Sequence, residues 1–235
     1  MFRKPWGVDL RTLLLPPRTR AALPLVLLAC LTLLAAPRLA GAAEPFAALT
    51  VTPHGRQLYD ITTGVTTMPD GGTVTDTSTG VALVAENVVY LAGRYIEAAR
   101  AMVDGEFGRV IAAELHVDLE SGVLKANGDL SLERDGLRIT AATLHYDANS
   151  QIAVFAGGVQ ANDPEFQADR LLLDVVSGDV LLDGRYVYQG ALFTMASPEG
   201  GGRLELRFVL KDGEPSYDAA TQVRPELLRR FAAFL

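Results

Sequence analysis

The residues of this chain that could do chemistry fall in a repeated pattern. Three aspartates recur at separations of 29 and 27 residues: Asp118, Asp147 and Asp174. His116 and His145 each stand two residues before an aspartate, but the third copy has Leu172 in that position. A metal site across the copies would need a third ligand, so we expect two histidines on an outer sheet face. An Asp side chain at this position fits a turn, where it accepts hydrogen bonds from nearby backbone N–H groups.

The sequence holds no pattern that is typical of an enzyme. Cys30 is the single cysteine, and the chain contains neither G-x-S-x-G nor H-E-x-x-H. The serines three residues after each aspartate read as turn residues: Ser121, Ser150 and Ser177. The segment EGGGR at 199–203 lacks the lysine of a phosphate-binding loop. We therefore expect a protein without catalytic activity, metal ion or cofactor.

The repeat predicts stacked supersecondary units, because its period lies in the range of such architectures. The matched columns are Leu115, Leu144 and Leu171 before the aspartate, and Gly128, Gly157 and Gly184 after it. Each aspartate begins a predicted hairpin turn, in which Gly122 or Gly178 supplies a positive φ. The middle copy has Gln151 in the glycine position, and there we expect Asn149 to take the left-handed conformation.

Apolar side chains alternate on both sides of each turn. After the turns they are Leu124, Ala126, Leu130 and Leu132; Ala153, Phe155 and Val159; Val180, Leu182, Tyr186 and Tyr188. Before the turns they are Val110, Ala112, Leu115 and Val117; Ile139, Ala141, Leu144 and Tyr146; Phe166, Ala168, Leu171 and Leu173. A period of two predicts half-buried strands. Before each turn the spacing widens to three at the same place in every copy, which indicates a bulge or bend. The sequence therefore predicts an all-β, folded-over antiparallel sheet of bent hairpins.

Three motifs in the repeat resemble a known family. "FAGGV" (155–159), "FQADRLLLD" (166–174) and "SGDVLLDG" (177–184) are similar to the OstA-like domain of the lipopolysaccharide-transport periplasmic proteins. The resemblance is clearest over 109–196, and "ALVAENVVY" (82–90) reads as an earlier copy with Ala85, Glu86 and Val88 in the motif positions. The chain departs from the family pattern at Gly158, where an asparagine is usual.

The resemblance implies a twisted β-jelly roll whose apolar interior holds the acyl chains of lipopolysaccharide or another glycolipid. It also implies partners of the same kind, joined by pairing of sheet edges, including further copies of this chain. The side chains that would line the groove are Leu124, Leu130, Ile139, Leu144, Tyr146, Phe155, Val159, Phe166, Leu171, Leu173, Leu182, Tyr186 and Tyr188. The sequence leaves open whether they line a groove or fill a closed core. The alternative function is an assembly module that pairs with envelope proteins by strand addition and binds no lipid.

Residues 1–43 have the composition of an export signal. A basic start precedes the apolar segment 21–36, and Ala40-Gly41-Ala42 offers a small-residue cleavage site. We expect cleavage near Ala42 or Ala43 and a location in the periplasm or cell envelope. Two alternatives stay open: "LLAC" could direct lipid modification of Cys30, or segment 21–36 could remain as a membrane anchor.

The charge of the remaining chain argues against nucleic acid as a partner. Residues 1–43 contain six of the 21 basic residues and one of the 28 acidic residues, so the rest carries 15 against 27, a net charge of −12. A strongly acidic surface repels the phosphate backbone of nucleic acid and the surface of anionic membranes.

The C-terminal end changes character after a predicted strand at "RLELRFVL" and a turn at "KDGEP". In the tail, Pro225 can begin a helix, and one side of that helix carries Leu227, Leu228, Phe231 and Leu235. We expect this helix to close one end of the β-roll, or otherwise to dock on a partner or a membrane. The predicted organisation is a leader at 1–43, the β-roll at 44–212, and a helical tail at 213–235.

Overall fold

The computed structural model describes residues 48–134, 136–190, 193–211 and 213–235. The predicted leader at 1–43, with Cys30 and segment 21–36, lies outside these residues. Within these ranges, fifteen antiparallel strands form one open sheet, and a short helix follows them. The prediction of an all-β fold built from hairpins is confirmed.

The strands of the long central hairpins have ten to twelve residues each, which is longer than usual. The strands are β1 (Leu49–Pro53), β2 (Leu58–Tyr59), β3 (Thr66–Met68), β4 (Gly72–Asp76), β5 (Val81–Leu91), β6 (Tyr95–Gly105), β7 (Gly108–Asp118), β8 (Val123–Arg134), β9 (Leu137–Asp147), β10 (Ile152–Asn162), β11 (Glu165–Asp174), β12 (Val180–Gln189), β13 (Thr194–Ala196), β14 (Gly202–Lys211) and β15 (Glu214–Ala220). Helix α1 (Pro225–Arg230) and a 3₁₀ turn (Ala232–Phe234) end the chain. The sheet order is β1-β4-β5 and then sequential to β12, followed by β14 and β15.

The aspartate turns form as predicted. The Asp118 carboxylate accepts hydrogen bonds from the backbone N–H groups of Glu120 at 3.0 Å and Ser121 at 2.9 Å. Asp147 and Asp174 accept equivalent bonds from the residues two positions on. These bonds replace the ladder partners that the backbone loses where the chain reverses.

The prediction for the middle turn is wrong in one respect. Gln151, at φ 55°, takes the left-handed conformation that Asn149 was expected to take. Gly122 and Gly178 have φ values of 71° and 75°, four residues after their aspartates, and Gln151 stands at the same distance from Asp147. The turn therefore fixes the left-handed position by its place in the loop, whatever residue the sequence supplies there.

The predicted bends are present where the spacing of apolar residues widens. The pairing register shifts between Ile111 and Glu114 in β7, opposite Ser131 and Asn127 of β8, and between Ala168 and Arg170 in β11. Glycine is needed at these bends because a Cβ on Gly157 would stand 2.6 Å from the Cβ of Ala142. The same approach occurs between Gly128 and Ala113. Bending every hairpin at this place folds the sheet so that one face becomes the interior.

The tail does not follow the predicted boundaries. β15 begins at Glu214 and pairs with β14, so the sheet continues beyond 212 as far as Ala220. Helix α1 lies on the outer face of the sheet and not at the end of the roll. Its Leu227 and Phe231 pack against a small apolar patch formed by Ile152, Leu172 and Leu181. The side chains of this patch point away from the interior. The helix therefore does not close the end of the β-roll, and that prediction is wrong.

Ion pairs hold the tail against the outer face. Arg224 contacts the carboxylate of Glu205, which is only 2% exposed, and donates to Asp179 Oδ2 at 2.6 Å. Arg230 pairs with Asp174 at 2.8 Å. Glu205 and Asp174 lie on strands and Asp179 lies in the turn that joins β11 to β12, so the two arginines fix both ends of the helix to the sheet.

None of the helices in the described ranges is both long and apolar enough to cross a bilayer.

Candidate functional site

The predicted groove residues come together inside the folded sheet. Twelve of the thirteen are buried in one apolar cluster: Leu124, Leu130, Ile139, Leu144, Phe155, Val159, Phe166, Leu171, Leu173, Leu182, Tyr186 and Tyr188. Tyr146 is half-buried and packs against the same cluster. Alternation along the strands therefore places these side chains on one shared inner face.

This interior is closed in the structure. A cavity of about 20 Å³ is lined by residues that include Leu124, Phe155 and Leu173, and a second of about 30 Å³ lies nearer β1. Pockets for small-molecule ligands measure roughly 300–1,000 Å³. The predicted groove residues thus form a packed core here, and their contact with a lipid stays a prediction.

A cleft of about 1020 Å³ opens at the C-terminal end of the roll. It exists because the sheet divides at β12, whose first half pairs with β14 (Val180–Gly184) while its second half pairs with β13. The hairpin of β14 and β15 therefore does not pair with the second half of β12, and the cleft lies between the two. Sequence reasoning missed this cleft, since β13 and β15 were not predicted as strands.

Aromatic side chains form much of the cleft wall. Tyr188 and Phe193 lie with ring centroids 6.3 Å apart, and Phe208 meets Tyr217 edge-on at 5.7 Å. Phe193 is 52% exposed, which is unusual for so large an apolar side chain. Burial raises the pKa of the Tyr188 hydroxyl, so this residue stays neutral over the physiological range.

Charged groups surround the rim of the cleft. Lys211 pairs with Asp218 at 2.8 Å, and Arg134, Asp163 and Glu165 also contribute to the lining. The rim therefore presents both signs of charge above an apolar and aromatic floor.

Contacts at two places join the two rows of turns of the folded sheet. The Arg134 guanidinium donates a hydrogen bond to the carbonyl oxygen of Val175 at 3.2 Å, which joins the β8–β9 turn to the β11–β12 turn. Further along, the rings of Phe107 and Tyr146 pack 5.7 Å apart. We call this line of contacts the seam, defined by Phe107, Tyr146, Arg134 and Val175.

The two repeat histidines lie on the outer face, as predicted. His116 stacks on Tyr95, and His145 packs against Phe234 of the tail. Lys125 of β8 pairs in register with both and so stands between them. Nowhere in the described ranges do three or more His, Cys, Asp or Glu side chains gather as a metal site would require.

Comparisons with known proteins find likeness in structure but not in sequence. No protein-family model matches the chain, and no curated protein matches it in sequence. The chain is similar to the crystal structure of LptH from Pseudomonas aeruginosa, described as the LptA homologous periplasmic component of the conserved lipopolysaccharide transport device. The two are 10% identical with a TM-score of 0.45, over 51% of this chain and 97% of the LptH chain.

Proposed function

We propose that this chain is an exported, non-enzymatic carrier that binds the acyl chains of lipopolysaccharide or a similar glycolipid inside its folded sheet. In this role it bridges the transport of the lipid across the periplasm to the outer membrane. The observation that carries the proposal is the single apolar cluster that extends from Met68 to Leu206 and reaches the cleft at its C-terminal end. The motifs at 155–159 and 166–184, which resemble the OstA-like domain, support it.

The energetics allow capture of such a lipid. Burial of one CH₂ group stabilises by about 0.8 kcal/mol, so a chain of about twelve carbons gains on the order of 10 kcal/mol before ordering costs are subtracted. Because the inner cavities measure only about 20 and 30 Å³, the ligand has to displace existing contacts. The carrier therefore has to widen as it loads, and part of the burial energy offsets the loss of those contacts.

Native mass spectrometry tests the proposal. The protein is isolated without detergent from the periplasmic extract of bacteria that express it, and its intact mass is compared with its mass after organic extraction. We expect a stoichiometric amphiphile that is released on unfolding and is identified in the extract. A bare mass, together with failure to take up added lipopolysaccharide, would overturn the proposal.

The second candidate function is an assembly module that pairs with other envelope proteins by strand addition and carries no lipid. The closed interior favours this reading, as do the sheet ends: among the described strands, β1 and β15 each pair on one side alone. Sedimentation velocity over a range of concentrations separates the two functions. An assembly module associates through its edges while remaining free of lipid, and a carrier retains its amphiphile whether or not it associates.

A further inference from the structure

The cleft at the C-terminal end and the cavity of about 20 Å³ have two wall residues in common. Leu132 of β8 and Leu173 of β11 line both spaces. Both side chains are 3% exposed, so one layer of apolar side chains separates the open cleft from the interior. Moving these two leucines apart would join the spaces without breaking a strand pair.

One hydrogen bond of the seam lies at this point. Arg134 follows Leu132 by two residues, and Val175 follows Leu173 by two, so the bond from Arg134 to the Val175 carbonyl connects the two strands that carry the leucines. Val175 also lines the inner cavity, and Arg134 lines the cleft. While the bond persists, it keeps the ends of β8 and β11 together and holds the two leucines in contact with the core.

The chemistry of the walls selects the occupant. All ten residues that line the inner cavity are apolar or aromatic, and no buried side-chain nitrogen or oxygen in the described ranges lacks a hydrogen-bond partner. A peptide that entered would bury backbone polar groups with nothing to pair them, whereas an acyl chain has no such groups. The exposed Phe193 and Val176 at the rim offer the first apolar contact to such a chain.

We propose that the cleft is where an acyl chain is admitted, and that Leu132 and Leu173 form a gate to the interior that the Arg134–Val175 hydrogen bond keeps closed. This inference rests on the proposed function and assigns the place and the control of loading. Val110, Leu124, Leu144 and Phe155 line the space that the chain reaches first. Arg134 acts here as a positioning residue, since it controls the gate through the backbone of Val175.

Stopped-flow fluorescence with dansyl-undecanoic acid tests the gate. In Arg134→Ala the gate loses its hydrogen bond, so association and dissociation both become faster, by roughly 2- to 10-fold, with little change in affinity. The control is Arg109→Ala, which removes an arginine at the start of β7 that pairs with Asp104 on the surface. The control is expected to keep the wild-type rates. Equal rates in the two variants would overturn the gate.

A variant that blocks the passage should change the association rate in the opposite direction. Leu132→Trp narrows the passage and slows association, and its thermal unfolding is compared with that of wild type to establish that it folds. If it does not fold, the Arg134→Ala rates decide alone.

Displacement of the probe by lipopolysaccharide identifies a glycolipid chain as the ligand, and displacement by oleic acid alone identifies a free fatty acid. Wild-type protein that binds no probe at all overturns the proposed function as well, whereas normal binding with unchanged rates overturns the gate only.

Discussion

At the residue scale, Gln151 occupies a backbone conformation that glycine occupies in the neighbouring turns. Its side chain is exposed, and its backbone carbonyl accepts a hydrogen bond from the Val175 N–H at 3.0 Å. The left-handed region costs an ordinary residue about 1 kcal/mol, because its Cβ crowds the following carbonyl oxygen. Gln151 keeps this conformation because the length of the loop between β9 and β10 leaves no other position at which the chain can reverse direction.

Gln151→Gly should therefore stabilise the protein. The gain from relief of the left-handed strain is offset in part by the greater freedom of glycine in the unfolded chain, so we expect about 0.5 kcal/mol. Urea unfolding measures it. Gly122→Ala, which places a Cβ in the same conformation, should destabilise by about 1 kcal/mol. Destabilisation by Gln151→Gly would mean that the glutamine side chain has a role that the structure does not show.

Asp174 gives the turn next to the tail a dependence on pH. Burial disfavours its charge, but hydrogen bonds from Arg230 and from the Val176 N–H outweigh burial, and the pKa of Asp174 lies below its ordinary value. A carboxylate with a lowered folded pKa contributes stability that is complete above its unfolded pKa, about 3.9, and is lost as the pH falls through the folded pKa. The contribution of Asp174 should thus be complete at pH 6 and decrease progressively as the pH falls below about 4 toward the lower folded pKa.

Urea unfolding of wild type and Asp174→Asn from pH 6 to pH 3 measures this contribution. The difference in unfolding free energy should be largest at pH 6 and shrink as the acid is protonated. Arg230→Ala should show the same trend, because it removes the partner charge. A difference that stays constant with pH would contradict the assigned role of the ion pair.

Sequence reasoning succeeded for residues whose position is determined by the local alternation of apolar and polar side chains. The alternation of apolar and polar residues predicts the inner positions of β7 to β12, such as Leu144 and Phe155. The aspartate turns are predicted by a carboxylate that lies close in sequence to a residue in the left-handed conformation. It failed at Gln151, because side-chain preference pointed to Asn149 while loop geometry decided the position. It also missed two equivalent turns at Asp60 and Asp76, whose hairpins have shorter strands that break the period.

At the scale of elements, the tail is held to the sheet by charge as much as by apolar contact. Arg224 meets two acids, Glu205 and Asp179, that are almost withdrawn from solvent. Removal of the arginine would leave those charges buried without a partner, which is the costly way to break a buried ion pair. The placement of α1 on the outer face could not be predicted, because its apolar side fits either the end of the roll or a face of the sheet. Only tertiary contacts determine which of the two places it occupies.

Arg224→Ala should destabilise the protein by about 3 kcal/mol. Arg229→Ala is the matched control, since Arg229 is exposed and its side chain donates only a long bond to the Pro225 carbonyl at 3.4 Å. We expect the control to change the unfolding free energy by less than about 0.5 kcal/mol. Equal effects of the two substitutions, measured by urea unfolding, would show that Arg224 does not anchor the tail.

At the scale of the whole molecule, β1 and β15 are the terminal strands of the sheet's main path among the described residues. β1 ends at Pro53, and β15 contains Pro215 as its second residue; proline has no N–H to donate to an added strand. Strand addition along these two edges is therefore restricted to 49–52 and 216–220. The fold class could be predicted from the repeat, but the closed interior could not, since period two gives the same pattern for a groove wall and a core.

Neighbouring residues of a single strand can distinguish the interior of the sheet from its outer face. On β9, Leu144 is buried and lines the inner cavity, while its neighbour Thr143 is exposed on the opposite face. A lipid carried inside the sheet contacts the first position and not the second, although the two are adjacent in sequence.

The most direct test is photo-crosslinking in living cells with a diazirine amino acid placed at position 144 or at position 143. The carrier account predicts a lipopolysaccharide or glycolipid adduct from position 144 and little or none from position 143, with both proteins folded and exported. No adduct from position 144, or equal adducts from both positions, would contradict binding inside the sheet.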